Sequence, residues 1–205
     1  MSVIVKICGI TSVADAQAAA EAGADMVGLM FYERSPRNVS LPTAVEISRQ
    51  LPPYVARVGV FVNPTEETVL RAIGECALNI LQFHGDETPE FCTGFGLMSV
   101  KAFRIKDTES LKVLPGYPTD AWLLDAYTSD KLGGTGEKFN WDLAIEAKKL
   151  GRPIFLAGGL TPDNVAEAVR RVQPYAVDVS SGVEAGPGRK DHAKVKAFVQ
   201  AAKGV

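Results

Sequence analysis

Short β-rich runs alternate with amphipathic helical stretches from one end of the chain to the other. This alternation limits the fold more than any single motif. The runs fall at residues 3–8, 25–30, 55–62, 78–83, 98–103, 120–125, 153–157 and 175–180. Helical patterns fill 12–22, 42–50, 65–76, 87–93, 107–114, 141–150, 162–172 and 190–203. Strands separated by single helices predict a parallel sheet. Eight such units in 205 residues average about 26 residues each, which fits a compact (β/α)8 TIM barrel of class α/β. An open, doubly wound sheet is the competing architecture, and the regularity of eight repeats favours closure. No linker or low-complexity stretch interrupts the pattern, so residues 1–205 read as a single catalytic barrel domain. Caps are expected at Ser12 with Asp15, at Asn63-Pro64 with Glu66, and at Thr161-Pro162.

Composition removes several function classes. The chain is 46% hydrophobic and 22% charged, with a net charge of −2 and no block of like charge, so neither nucleic acid nor a membrane surface is an expected partner. No apolar run approaches the roughly 20 residues needed to cross a bilayer, and no signal peptide opens the chain. Three widely spaced cysteines, Cys8, Cys76 and Cys92, suit reduced thiols in the cytoplasm. Two histidines and no clustered carboxylates argue against a metal. No glycine-rich nucleotide loop follows a strand, so no cofactor is expected. Monomer and homodimer both suit such a barrel.

Strand parity selects the residues that line the barrel. In a closed barrel one strand face meets the helices and the other fills the interior. Helix-facing positions should be apolar, so polar residues mark the interior. By this rule the interior collects Lys6, Cys8, Gln82, His84, Asp125, Asp178 and Ser180. Cys8, His84 and Asp125 stand at strand ends, where barrel enzymes keep their chemistry.

Two loops look built for a phosphate. Gly158 and Gly159 follow the seventh strand, and Ser180, Ser181 and Gly182 follow the eighth. Glycine lets backbone N–H groups approach anionic oxygens, and a nearby helix start adds favourable dipole. Either motif alone is a common turn; together, after those two strands, they point to a phosphate.

Cys8 and Asp125 form a candidate base and acid facing each other across the mouth. A thiolate can remove a carbon-bound proton, and a carboxylic acid can protonate a leaving oxygen. Lys6 is expected to lower the thiol pKa. Taken singly, such a Cys is commonly a small buried hydrophobe and such an Asp a turn residue. Arg37, in the loop after the second strand, can clamp a carboxylate in a bidentate pair. Asp178 either contacts substrate or pairs with Lys6. His84 is either a site residue or a satisfied loop histidine. Cys76 and Cys92 read as packing residues.

The motifs resemble one family. In order they are Val5–Thr11 (VKICGIT), Ser35–Asn38 (SPRN), Gly59–Asn63 (GVFVN), Gln82–Asp86 (QFHGD), Leu124-Asp125, Gly133–Gly136 (GGTG), Leu156–Leu160 (LAGGL) and Val177–Glu184 (VDVSSGVE). The chain resembles the phosphoribosylanthranilate isomerases of tryptophan biosynthesis, over essentially its whole length. The resemblance implies a (β/α)8 barrel that carries out an Amadori rearrangement of N-(5-phosphoribosyl)anthranilate without metal or cofactor. It implies Asp125 as general acid and Cys8 as general base, Arg37 on the anthranilate carboxylate and Asp178 near the substrate nitrogen. The two loops would hold the phosphate, and Gly133–Gly136 would form a lid. Two positions depart from the family pattern. The lid continues into Glu137, and Phe83 stands where Leu is common. Other readings are a barrel acting on another phosphosugar and a binding-only barrel. A thiol at the end of strand 1 speaks against the paired-carboxylate isomerase of histidine biosynthesis.

Overall fold

The structure is a computed structural model that describes residues 2–126 and 141–205. Eight parallel strands close into a barrel in sequence order: β1 (Ile4–Cys8), β2 (Met26–Met30), β3 (Ala56–Phe61), β4 (Ile80–Phe83), β5 (Met98–Ile105), β6 (Ala121–Ala126), β7 (Ile154–Leu156) and β8 (Ala176–Val179). Closure is made by β1 and β8, with Lys6 opposite Asp178 and Ile7 opposite Val179. An open sheet is thereby excluded. Outside lie α1 (Val13–Glu21), α2 (Leu41–Gln50), α3 (Glu66–Cys76), α4 (Pro89–Thr93), α5 (Trp141–Lys148), α6 (Val165–Val172) and α7 (His192–Lys203). Among the described residues no helix is long and apolar enough to cross a membrane.

The two strand faces pack differently. Val5, Ile7, Phe61, Phe83, Trp122, Leu124 and Val177 point outward into the layer shared with the helices. Each such buried side chain contributes roughly 1.5–3 kcal/mol relative to exposure. Phe83 stacks on Phe61 at 6.1 Å and on Phe95 at 5.9 Å, so the larger ring at this position bridges an aromatic row under α4. Val58, Val60, Ile80, Val100, Leu123 and Phe155 fill the interior instead.

Three local expectations need correction, and one element has no counterpart among them. Residues 107–114 form no α-helix. They make short 3-10 turns at Glu109–Leu111 and Leu114–Gly116, because Asp107 Oδ1 caps Ser110 N–H and Pro115-Gly116 stops any further winding. The α3 cap is Thr65, whose hydroxyl accepts from Thr68 N–H. Asn63 is unavailable because its side-chain Oδ1 already accepts from Asp86 N–H and its backbone turns left-handed at φ 47°. Helix α6 starts at Val165 rather than at Pro162, because the chain first turns through Thr161 N–H donating to Asn164 Oδ1. A two-stranded antiparallel ribbon, β9 (Glu184–Gly186) and β10 (Arg189–Lys190), lies between β8 and α7 and was absent from the sequence reading. The cap at Ser12, accepting from Asp15 N–H, is as expected.

Candidate active site

The C-terminal ends of the strands open into a cavity of about 320 Å³. Cys8, Arg37, His84, Asp125, Asp178 and the loop residues Gly158, Gly159, Ser180, Ser181 and Gly182 all line it. The candidates named from sequence therefore converge on one space. The Gly133–Gly136 segment and Glu137 lie outside the described residues.

Cys8 is the last residue of β1 and is 7% exposed. Directly opposite it in register is Gly28 of β2. A Cβ at Gly28 would lie 2.8 Å from Cys8 Sγ and 3.0 Å from Lys6 Nζ, so the missing side chain makes room for both groups. Burial pushes the Cys8 thiol above its ordinary value. Lys6 and Lys190 pull it down and Asp178 pushes it up. The expected effect of Lys6 is present, but burial outweighs it and the net direction is upward. Cys76 ends α3 and Cys92 lies within α4, where burial pushes them up to about 11 and about 12. Both remain thiols at neutral pH and serve as packing groups.

Beneath Cys8 sits a buried ion pair. Lys6 Nζ donates to Asp178 Oδ1 at 2.9 Å, with Lys6 fully buried and the Asp178 side chain 9% exposed. Burial opposes the Lys6 charge, yet Asp178 and Cys8 more than offset it, and the Lys6 pKa is raised. Asp178 therefore pairs with Lys6, and it also lines the cavity.

Asp125 comes from β6, three strands from Cys8 through β7 and β8. Its Oδ2 lies 3.5 Å from His84 Nε2, beyond a good hydrogen bond. Gln82 Nε2 is 3.1 Å from His84 Nδ1. With the amide donating, the neutral ring carries its proton on Nε2, facing Asp125. The loop bearing His84 is tied down by a group that sequence reasoning missed. Glu87 accepts from Gly85 N–H and Asn63 N–H and pairs with Lys101 Nζ at 2.9 Å. Both side chains are at most 3% exposed. Lys101 also lies 5.9 Å from the Phe103 ring and 5.7 Å from the Tyr117 ring. Its sequence signal is a lysine on the outward face of β5, between Ser99 and Phe103.

The loops after β7 and β8 interlock. Gly158 and Gly159 both adopt positive φ, 82° and 67°. Asn164 Nδ2 donates to Gly159 O at 2.9 Å and braces that turn from α6. Gly182 packs so closely that a Cβ would stand 2.0 Å from Leu160 O, so only glycine fits and the loops after β7 and β8 form one wall. Ser181–Val183 forms a short 3-10 turn there, with Val183 N–H donating to Ser180 O. Arg37 faces this wall. Its Nε and Nη2 donate to Glu184 at 2.8 and 2.7 Å. Among the described residues no group of three or more His, Cys, Asp and Glu is placed to hold a metal.

Fold and site define a class first: a (β/α)8-barrel enzyme whose mouth suits a small phosphorylated anion. The family model described as N-(5'phosphoribosyl)anthranilate (PRA) isomerase matches residues 5–201. A relative named N-(5'-phosphoribosyl)anthranilate isomerase, from Geotalea uraniireducens (strain Rf4), is 54% identical over 201 residues, covering 98% of each chain. The crystal structure of phosphoribosyl anthranilate isomerase from Thermotoga maritima superposes with a TM-score of 0.93 at 43% identity, covering 99% of this chain and 100% of that one. A further structure of such an isomerase, in complex with reduced 1-(o-carboxyphenylamino)-1-deoxyribulose 5-phosphate, gives 0.90 at 41% identity over 99% and 100% of the two chains. The chain belongs to the N-(5'-phosphoribosyl)anthranilate isomerase family, the isomerases of tryptophan biosynthesis.

Proposed function

We propose that residues 1–205 work as one catalytic domain in which Asp125 and Cys8 divide the Amadori rearrangement between them. The substrate, N-(5-phosphoribosyl)anthranilate, lies across the mouth with its phosphate on the Gly158-Gly159 and Ser180–Gly182 wall and its carboxylate at Arg37. Asp125 protonates the furanose ring oxygen as the bond from that oxygen to C1 breaks. The electron pair of the anthranilate nitrogen closes the C1–N double bond and leaves a protonated Schiff base. Cys8, as thiolate, then takes the proton from C2, and the C2–H electron pair flows toward the iminium nitrogen. The enolamine tautomerises to the ketone, giving 1-(2-carboxyphenylamino)-1-deoxyribulose 5-phosphate.

Supporting residues follow the same geometry. Asp178, held by Lys6, faces the substrate nitrogen beside the base. His84 stands against Asp125 and borders the sugar. Both reactive groups belong to the chain, so the scheme calls on no metal or cofactor. The three cysteines are free and buried, which suits a reducing cytoplasm.

The observation that carries this reading is the meeting of Cys8 and Asp125, from facing strands, in one cavity with Arg37 and the glycine wall. The test is turnover of freshly made phosphoribosylanthranilate by the purified chain with chelator present. Loss of anthranilate-type fluorescence should outrun spontaneous breakdown, with the ribulose phosphate product identified by mass. Activity that vanishes with chelator would contradict the scheme.

A further inference from the structure

The ribbon β9–β10 is built into the wall of the cavity. Glu184 opens it, and each carboxylate oxygen meets Arg37: Oε1 accepts from Nε and Oε2 from Nη2. Lys190, its cross-strand partner in the ribbon, donates to Glu184 Oε1 at 2.9 Å with its side chain fully buried. Lys190 Nζ also lies 3.3 Å from Ser180 O and 3.4 Å from Ser180 Oγ, in the glycine-serine wall. The ribbon is pinned from both sides. Asp15 of α1 accepts from Lys190 N–H, and Gly188 packs so near Pro36 that a Cβ would come within 2.9 Å of its carbonyl oxygen. The stem of Arg37 rests on Gly9, whose absent Cβ would otherwise lie 2.6 Å from Arg37 Cδ.

The charges settle what this does. An arginine paired with one carboxylate would be neutral overall and a poor anion site. Here the carboxylate is shared between two cations. Burial lowers the Lys190 pKa, while its hydrogen bond to Glu184 favours the charged form; with Lys190 charged, the cluster of Arg37, Glu184 and Lys190 carries a net +1. Glu184 uses only the Nε–Nη2 edge of the guanidinium, leaving the donors of the other edge for a ligand. Burial raises the Glu184 pKa, but hydrogen bonds from Arg37 and Lys190 outweigh it and hold the group low, so it stays ionised.

We propose that Glu184, backed by Lys190, is a positioning residue that fixes the Arg37 guanidinium for the substrate carboxylate while leaving the site net positive. This rests on the reading that Arg37 binds that carboxylate. It links the carboxylate end and the phosphate end of the substrate through one buried lysine.

The test compares Glu184→Gln, Arg37→Ala and the double variant, using steady-state turnover of phosphoribosylanthranilate and inhibition by inorganic phosphate. Glu184→Gln should raise KM about tenfold, the scale of a lost charge-assisted contact, with kcat within about threefold of the parent. The inhibition constant for phosphate should hold, and the double variant should bind no worse than Arg37→Ala alone. Glu184→Asp, which keeps the charge on a shorter arm, should recover part of the loss; if Glu184→Gln does not fold, this variant carries the test with a smaller rise in KM. A parent-like KM in Glu184→Gln beside a raised KM in Arg37→Ala would overturn the positioning role alone. A parent-like KM in Arg37→Ala would overturn the reading beneath it. Equal losses in kcat, phosphate inhibition and melting temperature would make Glu184 merely structural and would also overturn the proposal.

Discussion

Replacing Lys101 by Met tests whether the loop carrying His84 depends on the buried pair under α4. Lys101 makes a 2.9 Å ion pair with Glu87, a hydrogen bond to Gly85 O and two ring contacts, all nearly free of solvent. Met keeps most of the volume, so the loss is chiefly electrostatic. Glu87 would retain its bonds from Asn63 and Gly85 N–H but would stand as a buried, unpaired charge. Removing one partner of such a pair costs about 3–5 kcal/mol. Unfolding entropy near the melting temperature is about 2.1 cal/mol/K per residue, so 205 residues give roughly 430 cal/mol/K. The melting temperature should therefore fall by roughly 7–12 °C in a calorimetric scan. Glu87→Gln keeps an acceptor for the two N–H groups but leaves Lys101 as the buried unpaired charge, so it should fall by a similar amount. A shift under about 2 °C for Lys101→Met would refute the argument that this pair anchors the loop, since it would correspond to less than about 1 kcal/mol.

Other outcomes follow from the site. Because burial sets the Cys8 thiol above its ordinary value, the thiolate fraction grows as pH rises. Alkylation of Cys8 by iodoacetamide, located by mass, should accelerate at a higher pH than for an ordinary thiol; a rate already at its plateau at neutral pH would refute the upward shift. Gly182→Ala puts a methyl group into Leu160 O, which must push the two anion loops apart. Displacement of that size should cost on the order of 10²-fold in kcat/KM, and inhibition by inorganic phosphate should weaken with it. Unchanged phosphate inhibition would remove this wall from the phosphate site. Arg37→Ala should raise KM, with a smaller loss in kcat from poorer positioning; no change in either parameter would place Arg37 outside the site.

Periodicity made most of the barrel legible, because parallel strands and their covering helices impose two distinct repeats on the chain. Strand parity was informative for the same reason. A polar residue on a barrel strand is costly on the helix side, so Lys6, Gln82, Asp125 and Asp178 all point inward. Lys101 breaks that rule: it faces the helices and is tolerated there only because Glu87 and two rings receive it. Its partner is 14 residues away, and no pattern local to β5 announces it. The fifth helix failed where Pro115 and Gly116 outweigh an amphipathic pattern. The ribbon β9–β10 was missed because its five residues carry no alternation, and its pairing is fixed by contacts to Asp15 and Pro36. Glu184 was read as part of a motif, but its double contact with Arg37 joins residues 147 positions apart. Gly28 carries no signal in its own strand; its purpose appears only when β1 lies beside it with Cys8 in register.

The central claim is that Cys8 and Asp125 act as a base and acid on one bound substrate. The most direct measurement is kcat for Cys8→Ala and Asp125→Ala, beside the affinity of each for reduced 1-(2-carboxyphenylamino)-1-deoxyribulose 5-phosphate, a ligand that cannot turn over. The account predicts a loss of about 10²–10⁴ in kcat for each variant, with affinity close to that of the parent. Parent-like turnover in either variant, or affinity lost in step with turnover, would contradict it.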